Sequence, residues 1–391
     1  MTANNITLDI YTGVAELSAL EADWCRLQNH PNVDWEHFFL YLGTQGVSAR
    51  PWVMAVKEDN AVKCIVVGRV EADRATIDLG YWTPGLGRMT SLKILTEGVL
   101  GAMSPEMAAV VIRRLCDELV GGRFARVLFC NIRTDHPLVA TARSAPKRFL
   151  PMLLADPQAH WRKTLPKDVA AFWADLSRKH RYWLKRLAKK VEEDFPKALS
   201  YEVFKEPAQT DSFCEIAEQI ARKTFQRGLG VGFRNDDFFR SRCRIFAARG
   251  CFRGYVLRLA GTPKAFWMGC VYGDTFHSEY TGYDPELRHH EVGSLLLTHL
   301  MEELIREGVR SVDFGLGSAF YKQRFGDEFW EECDVVLYAP TLRNRIIAMS
   351  SAAAKQARSV AMRLPFVDRI KKVWRQHAAQ QAGQRGDDAN E

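Results

Sequence analysis

The stretch from His277 to Gly326 limits most tightly what this chain can fold into. It opens on a strand with alternating polar and apolar side chains (His277, Ser278, Glu279, Tyr280, Thr281, Gly282, Tyr283) and continues through Asp284-Pro285-Glu286-Leu287-Arg288-His289-His290-Glu291-Val292-Gly293-Ser294. A long run follows, with Leu296, Leu300 and Leu304 on one face and Glu302, Glu303, Arg306 and Glu307 on others. Its 3.6-residue period is that of a half-buried helix, and Gly308 closes it. Ser311-Val312-Asp313-Phe314 reads as a second strand, after which Gly315-Leu316-Gly317 opens into Ser318 to Gly326. Strand, loop, helix, strand is a βαβ-like unit. The loop entering its helix combines a glycine that lets backbone approach a ligand, Arg288 beside it, and helix N–H groups that point outward unpaired. Such an end binds anions, typically phosphate.

The same order of elements is predicted twice. In the second half it is hairpin (Tyr255 to Leu259 and Ala265 to Tyr272, across Gly261-Thr262-Pro263-Lys264), strand (Phe276 to Gly282), helix (Val292 to Glu307) and strand (Val312 to Phe314). In the first half, Trp52 to Val56 and Val62 to Val70 form a hairpin across Glu58-Asp59-Asn60. Ala75 to Tyr81 is the next strand, and Thr83-Pro84-Gly85-Leu86-Gly87 is a loop. A helix follows to about Val120, with Ser104 as its cap and Pro105 at its first position, and then a strand from Ala125 to Asn131. A short strand (Leu8 to Tyr11) and a helix (Val14 to Leu27) precede this copy. The repeat lies in the pattern and not in residue identity.

Between the halves, Leu176 to Val191 forms an amphipathic helix with Trp183, Leu184, Leu187 and Val191 on one side. Its Arg178, Lys179, Arg181, Lys185, Arg186, Lys189 and Lys190 have no acidic residue among them. It is either a solvated connector or a cationic wall for an anionic substrate. Phe213 to Phe225 continues as helix, and Gln226 to Gly232 is a glycine-rich loop without the Gly-Lys-Ser/Thr of a Walker site, read as a lid or a plain connection. Beyond Pro340 the chain is again basic and helical, suited to its own domain or to an anionic surface or partner. Gln380 to Glu391 is polar and expected to be disordered.

The Arg288 to Ser294 loop resembles the pyrophosphate loop of the GNAT acyltransferases (Arg/Gln-x-x-Gly-x-Gly/Ala), and Phe320-Tyr321-Lys322-Gln323-Arg324-Phe325-Gly326 resembles their later Tyr-x-x-x-Gly-Phe region. The segment also resembles the Tyr-Lys-x-Arg-Phe-Gly of the large proteins grouped with CelD of cellulose biosynthesis, which are similar to the Fem peptidyltransferases in having two GNAT-like halves. The sequence departs from the pattern at Glu291, where the family has its first glycine, so the carboxylate must point away for a diphosphate to sit there. The resemblance implies an α/β fold of tandem GNAT-like domains, each a mixed, mostly antiparallel sheet flanked by helices. The expected divisions are 1–160 (a degenerate first domain), 161–200 (the basic linker helix), 201–340 (the acyltransferase domain) and 341–391 (the basic tail). Met103-Ser104-Pro105-Glu106 stands where the second half has its loop, so only the second half is expected to hold the donor.

For chemistry, the resemblance implies an acyl-CoA co-substrate, acetyl-CoA first, and a small-molecule or saccharide amine as acceptor, such as an amino sugar of a surface polysaccharide. Backbone from Tyr280, Thr281, Gly282 and Tyr283 would hold the thioester. Arg288, Val292, Gly293, Ser294 and Leu295 would hold the diphosphate. Tyr321 matches the family tyrosine that gives a proton to the leaving thiolate; the alternative is a core aromatic. The base is left among His277, Glu279 and Asp313. An imidazole suits proton transfer near neutrality, Glu279 is nearer the predicted reaction centre, and His277, Glu279 and Thr281 share a face by the period-two rule. Arg181, Lys185, Lys322 and Arg324 are candidates for anionic substrate, or surface charge.

The 391-residue length and 47% hydrophobic content suit packed multi-domain cores. No apolar run approaches the ~20 residues of a membrane span, and no signal-peptide core stands at the start, which predicts a cytoplasmic protein, with the basic tail able to rest at the inner membrane face. Nine scattered cysteines without a Cys-x-x-Cys pair argue against a disulfide frame or metal site. A net charge of +7 fits an acidic partner, with no DNA expected. Two other classes remain: a Fem-type aminoacyl transfer to a cell-wall precursor, and a catalytically silent GNAT-like accessory protein.

Overall fold

The computed structural model describes residues 5–44, 49–76, 85–144, 153–224, 227 and 232–361. They form two compact units, one from the described residues of Met1–Ala159 and Trp330–Val367, the other from those of His160–Phe329.

The first unit carries β1 (Ile6–Tyr11), β2 (Ala49–Glu58), β3 (Ala61–Thr76), β4 (Gly85–Gly101), β5 (Arg126–Arg133) and the short β6 (Leu153–Leu154). The second carries β7 (Gln158–Thr164), β8 (Leu199–Phe204), β9 (Phe252–Leu259), β10 (Thr262–Tyr272), β11 (Thr275–Tyr283) and β12 (Ser311–Leu316). The chain then returns to the first unit as β13 (Glu328–Tyr338) and the helix Leu342–Ala361. Within the first unit the strands run in the order β1-β2-β3-β4-β5-β13; within the second, β8-β9-β10-β11-β12-β7. The two orders correspond strand for strand. In each, the one parallel neighbour pair is bridged by a helix, Pro105–Val120 between β4 and β5 and Val292–Arg306 between β11 and β12.

Each sheet buries both faces. In the second unit Tyr255, Leu257 and Trp267 pack with the helices Arg178–Asp194 and Val292–Arg306, while Val256, Phe266, Met268 and Cys270 pack with Thr210–Ala221 and Asp237–Ala248. In the first, Met54, Val66 and Ile94 pack with Pro105–Val120, and Val53, Ile65 and Val67 with the helices before β2. Alternation along each strand makes both cores possible at once.

The hairpins close as two-residue turns of left-handed residues, Asp59 (φ 50) with Asn60 (φ 64), and Ala260 (φ 49) with Gly261 (φ 78). The second turn is tighter than the sequence suggested: β10 begins at Thr262, and Pro263 sits at a register shift, where its missing N–H costs no ladder bond. Of the expected strand Ala75 to Tyr81, only Ala75 and Thr76 are described, and they end β3. β3 runs unbroken to Thr76 and turns back as β4, whose pairing starts at Gly85; residues 77–84 lie outside the described residues. Charges in the middle of β3 are spent across the sheet, Glu71 on Arg69 and Lys93, and Asp73 on Lys93 and Arg126. The expected helix Val14 to Leu27 is a helix, a 3-10 turn (Ser18–Leu20) and a second helix, with Leu17, Leu20 and Trp24 buried. The helix expected from Phe213 to Phe225 is Thr210–Ala221. Most of the glycine-rich loop Gln226 to Gly232, and the chain after Ala361 with its expected disordered end, lie outside the described residues. No helix among the described residues is long and apolar enough to cross a membrane.

A bulge shapes the functional half of the second sheet. The β10–β11 register shifts between Met268 and Gly269, leaving Glu279 as the extra residue on β11. Gly269 makes this possible, since a Cβ there would lie 2.1 Å from the His277 carbonyl oxygen and 2.7 Å from Phe276. Gly269→Ala is therefore expected to lower stability by about 3 kcal/mol, the upper range for overpacking. Urea unfolding would check it, and a midpoint equal to the parent's would contradict this account of the bulge.

Candidate functional site

Three rungs join β11 to β12: Thr275–Ser311, Phe276–Val312 and His277–Asp313. Beyond them β11 follows β10 to Tyr283, and β12 follows β7 to Leu316 through its own bulge between Asp313 and Gly315. Each strand stays with its outer neighbour, so the two part. The result is a fork whose edges offer backbone groups that no β11–β12 rung uses.

Asp313 stands at the root of the fork. Its Oδ1 accepts from the Gly315 amide at 2.7 Å and meets His160 Nε2 at 2.6 Å, while Oδ2 lies 3.6 Å from His277 Nδ1. Burial alone would raise this carboxyl, but the bonds to His160 and His277 override it and hold it far below the usual carboxylate range.

At the mouth of the fork the chain turns through Pro285–His290 into Val292–Arg306. Asp284 anchors the turn, accepting from the Glu286 amide and from Lys223 and Lys264 at 2.9 and 3.1 Å. Glu291, the helix N-cap, takes left-handed backbone (φ 46) and makes no side-chain cap bond. Its carboxylate instead accepts from the Trp183 indole at 3.4 Å. The Arg324 guanidinium lies 3.5 Å from the centre of that indole, burial lowering its pKa and the Glu291 charge opposing the shift. The acid is thus drawn toward the basic helix. A Cβ at Gly293 would touch only Tyr283, at 3.6 Å, so the first turn faces open space among the described residues. Val292 and Gly293 have amides without an acceptor among those residues, whereas the Ser294 amide, expected to serve as a donor to phosphate, is spent on the Glu291 carbonyl at 2.8 Å.

The basic helix forms as Arg178–Asp194, capped by Ser177, whose Oγ accepts from the His180 amide. It is no free connector: Trp183, Leu184, Leu187 and Val191 are buried. Lys190 donates to the His289 carbonyl at 3.1 Å, and His290 meets Asp194 at 2.8 Å, which ties the helix to the loop at the mouth. Arg181, expected to face substrate, donates to the carbonyls of Trp173, Ala174 and Leu176 and closes the preceding helix. Lys185 is exposed and without a partner among the described residues.

The remaining candidates fall on both sides of β11. Tyr321 packs edge-on against Trp267 (5.1 Å) and Phe314 (5.8 Å) on the helix-bearing face, its phenol raised by burial, with no hydrogen bond to its hydroxyl among the described residues. Lys322 does not reach outward: it is buried, donates to the Leu316 carbonyl at 2.6 Å, and burial lowers its pKa to about 8. The bulge overturns the simple face rule. Glu279 is held on both oxygens by the buried Arg242, Thr281 Oγ1 donates to the Phe266 carbonyl, and Tyr280 packs against Phe233 and Phe239. Gly282 makes room for Phe266, 2.6 Å from where a Cβ would sit. Tyr283 and Arg288 are exposed at the mouth, while Leu295 is buried. Arg242 was not foreseen; only its place on an otherwise apolar helix face could have signalled it.

A carboxylate bound on both oxygens by a guanidinium is a poor base and a strong structural tie. Glu279→Gln should cost about 3 kcal/mol, as expected for breaking a buried pair, and appear first in the melting temperature. A large loss of turnover with unchanged melting would restore Glu279 as base. Asp313 has a depressed folded pKa, so its contribution is present above the unfolded carboxyl value of about 3.9 and is lost as pH falls below it. Asp313→Asn should flatten the acid limb of a stability-versus-pH curve below about pH 4; an unchanged limb would contradict this.

Residues 178–323 match the family described as acetyltransferase (GNAT) domain. A search among curated proteins found no match. Among solved structures the fold is similar to FemX (12% identity, 87% of this chain and 99% of that one, TM-score 0.56). It is also similar to a conserved protein of unknown function from Bacteroides thetaiotaomicron (12%, 85% and 100%, 0.52). A third is the C-terminal domain named for a lysylphosphatidylglycerol synthetase from Agrobacterium fabrum (13%, 87% and 96%, 0.50). At such identities these likenesses speak for fold alone. The parallel fork that opens on a helix N-terminus thus lies within the segment that matches a GNAT acetyltransferase domain, in a mixed α/β fold whose two units repeat one strand order.

Proposed function

We propose that this enzyme moves an acyl group, acetyl foremost, from a CoA thioester to a primary amine, with an amino sugar of a surface polysaccharide as acceptor. The fork between β11 and β12 carries this reading. Its exposed edge over Glu279 to Tyr283 suits the pantetheine arm and the thioester carbonyl. The amides of Val292 and Gly293, with Arg288, suit the diphosphate, and Lys185 suits an outlying phosphate. The acceptor nitrogen attacks the carbonyl carbon, the C–S bond breaks, and the nitrogen's proton passes to a base as the thiolate gains one. Tyr321 is the acid: burial keeps its phenol protonated, so that it can donate a hydrogen bond to the developing thiolate, although the same burial makes full proton transfer harder. His277 is the base, positioned by Asp313 as an imidazole is by a carboxylate in a catalytic triad. The saccharide acceptor rests on the CelD-like run from Tyr321 to Gly326. Exposed Leu342, Ile346 and Met349 on the helix Leu342–Ala361 support an anionic surface as its resting place.

Glu291 favours a second reading. An acid at the helix mouth disfavours a diphosphate and suits a Fem-type aminoacyl donor that carries none there. Calorimetric titration with acetyl-CoA separates the two, since failure of every acyl-CoA to bind would remove the first. If binding occurs, Gly293→Val should weaken it at least tenfold, about 1.4 kcal/mol, without lowering the melting temperature. Tyr321→Phe should lower kcat about 100-fold with little change in KM, the usual worth of a positioned acid; unchanged kcat would dismiss Tyr321 from that role.

A further inference from the structure

The amine of Lys322 stands in the gap of the fork between β11 and β12. On β7 the Arg162 carbonyl accepts from the Asp327 amide, so the backbone groups of Arg162, and by alternation those of His160, face away from β12. Leu316 is the residue opposite His160, and its carbonyl therefore turns from β7 toward the side on which β11 has parted. Lys322 Nζ, from the short helix Phe320–Phe325, donates to that carbonyl at 2.6 Å. In the first unit β4 and β5 part beyond Ile94–Phe129 in the same manner, and the cavity of about 70 Å³ between them is lined without a lysine.

A lysine is an unusual residue to place there. Lys322 is the one buried lysine among the described residues, and its hydrogen-bond partner is a neutral carbonyl. An ammonium so placed lacks the ion pair that normally offsets its lost hydration. Burial lowers the pKa of the amine to about 8, with the Asp313 charge opposing the shift. At pH 7 about a tenth of it is then neutral, against fewer than about one in 1,000 for an ordinary lysine near 10.4. Neutral Nζ is a nucleophile, and no proton need be removed before it attacks.

From this placement we infer that Lys322 itself takes up an acyl group when a CoA thioester occupies the fork, becoming Nε-acyllysine, which rests on the reading of this fork as the donor site. Neutral Nζ attacks the thioester carbonyl carbon, the C–S bond breaks, and the proton that Nζ gives up ends on the thiolate, leaving an amide and free CoA. An amide does not hand its acyl group to a second amine, so the modification stands outside the turnover and stops at one acyl group per chain at this position. The test incubates the full chain with acetyl-CoA and follows intact mass and peptide mapping, while calorimetry on the same sample measures acetyl-CoA binding. A mass gain of one acetyl group is expected at Lys322, at least about tenfold faster than at the exposed Lys63 and Lys179, as proximity to a bound thioester provides. Acetyl phosphate, which has no CoA moiety, should show no such preference. Binding of acetyl-CoA without acetylation of Lys322 overturns this inference and leaves the proposed donor site standing; absence of binding overturns both. Equal rates at the three lysines, or the same preference with acetyl phosphate, overturn it as well.

Discussion

The Asp313 carboxylate is the tie on which the second unit's geometry depends. It meets His160 on β7, takes the Gly315 amide that the bulge in β12 turns toward it, and faces His277 on β11. These contacts stand at the last rung before β11 and β12 part. A fork in a sheet leaves backbone groups without ladder partners, and such groups are costly when buried. The parting is sustained because each strand keeps its outer neighbour, with Asp313 bonded to both sides of the root. The same anion that stabilises the fork also faces the His277 imidazole.

The bulge at Gly269 is the second constraint, and it explains why the two faces of β11 differ from a simple alternation. With Glu279 inserted as an extra residue, its carboxylate meets Arg242 on the helix Asp237–Ala248. A buried ion pair recovers its desolvation cost only with good geometry and both partners present. Here the guanidinium contacts both carboxylate oxygens, so the pair fixes that helix against the sheet. Glu279 is thereby committed to Arg242, while His277 Nδ1 faces the Asp313 carboxylate at 3.6 Å.

Much of this was legible in the sequence where local and global preferences agree. The Val292–Arg306 helix, the Ser104-Pro105 helix start, the Asp59-Asn60 turn and the basic helix behind Ser177 all carry short-range signals of period, cap or turn. What was hidden depends on partners far along the chain. β4, a strand not expected beyond the loop Thr83 to Gly87, places Lys93 against Glu71 and Asp73 of β3 only once the sheet exists. The partners of Arg181, Lys322 and Glu279 were hidden for the same reason: a charged side chain in a sequence gives no sign of the carbonyl or counter-ion that will claim it. Glu291 shows the reverse case, since the expectation that its carboxylate must turn aside matches its contact with Trp183.

Comparison of the two forks separates what the fold supplies from what the side chains add. Both units part a parallel pair beyond a short ladder and place a helix start after the strand that leads into it. A helix start attracts anions only if its amides are available. In the second unit Val292 and Gly293 keep theirs, Gly293 leaves space in front, and the one acid nearby is drawn to Trp183 and Arg324. In the first, a serine cap, a proline and a glutamate occupy the equivalent turn. The backbone geometry is therefore common to both, and a handful of side chains distinguish the two helix starts: free amides in the second unit, a capped and acidic turn in the first.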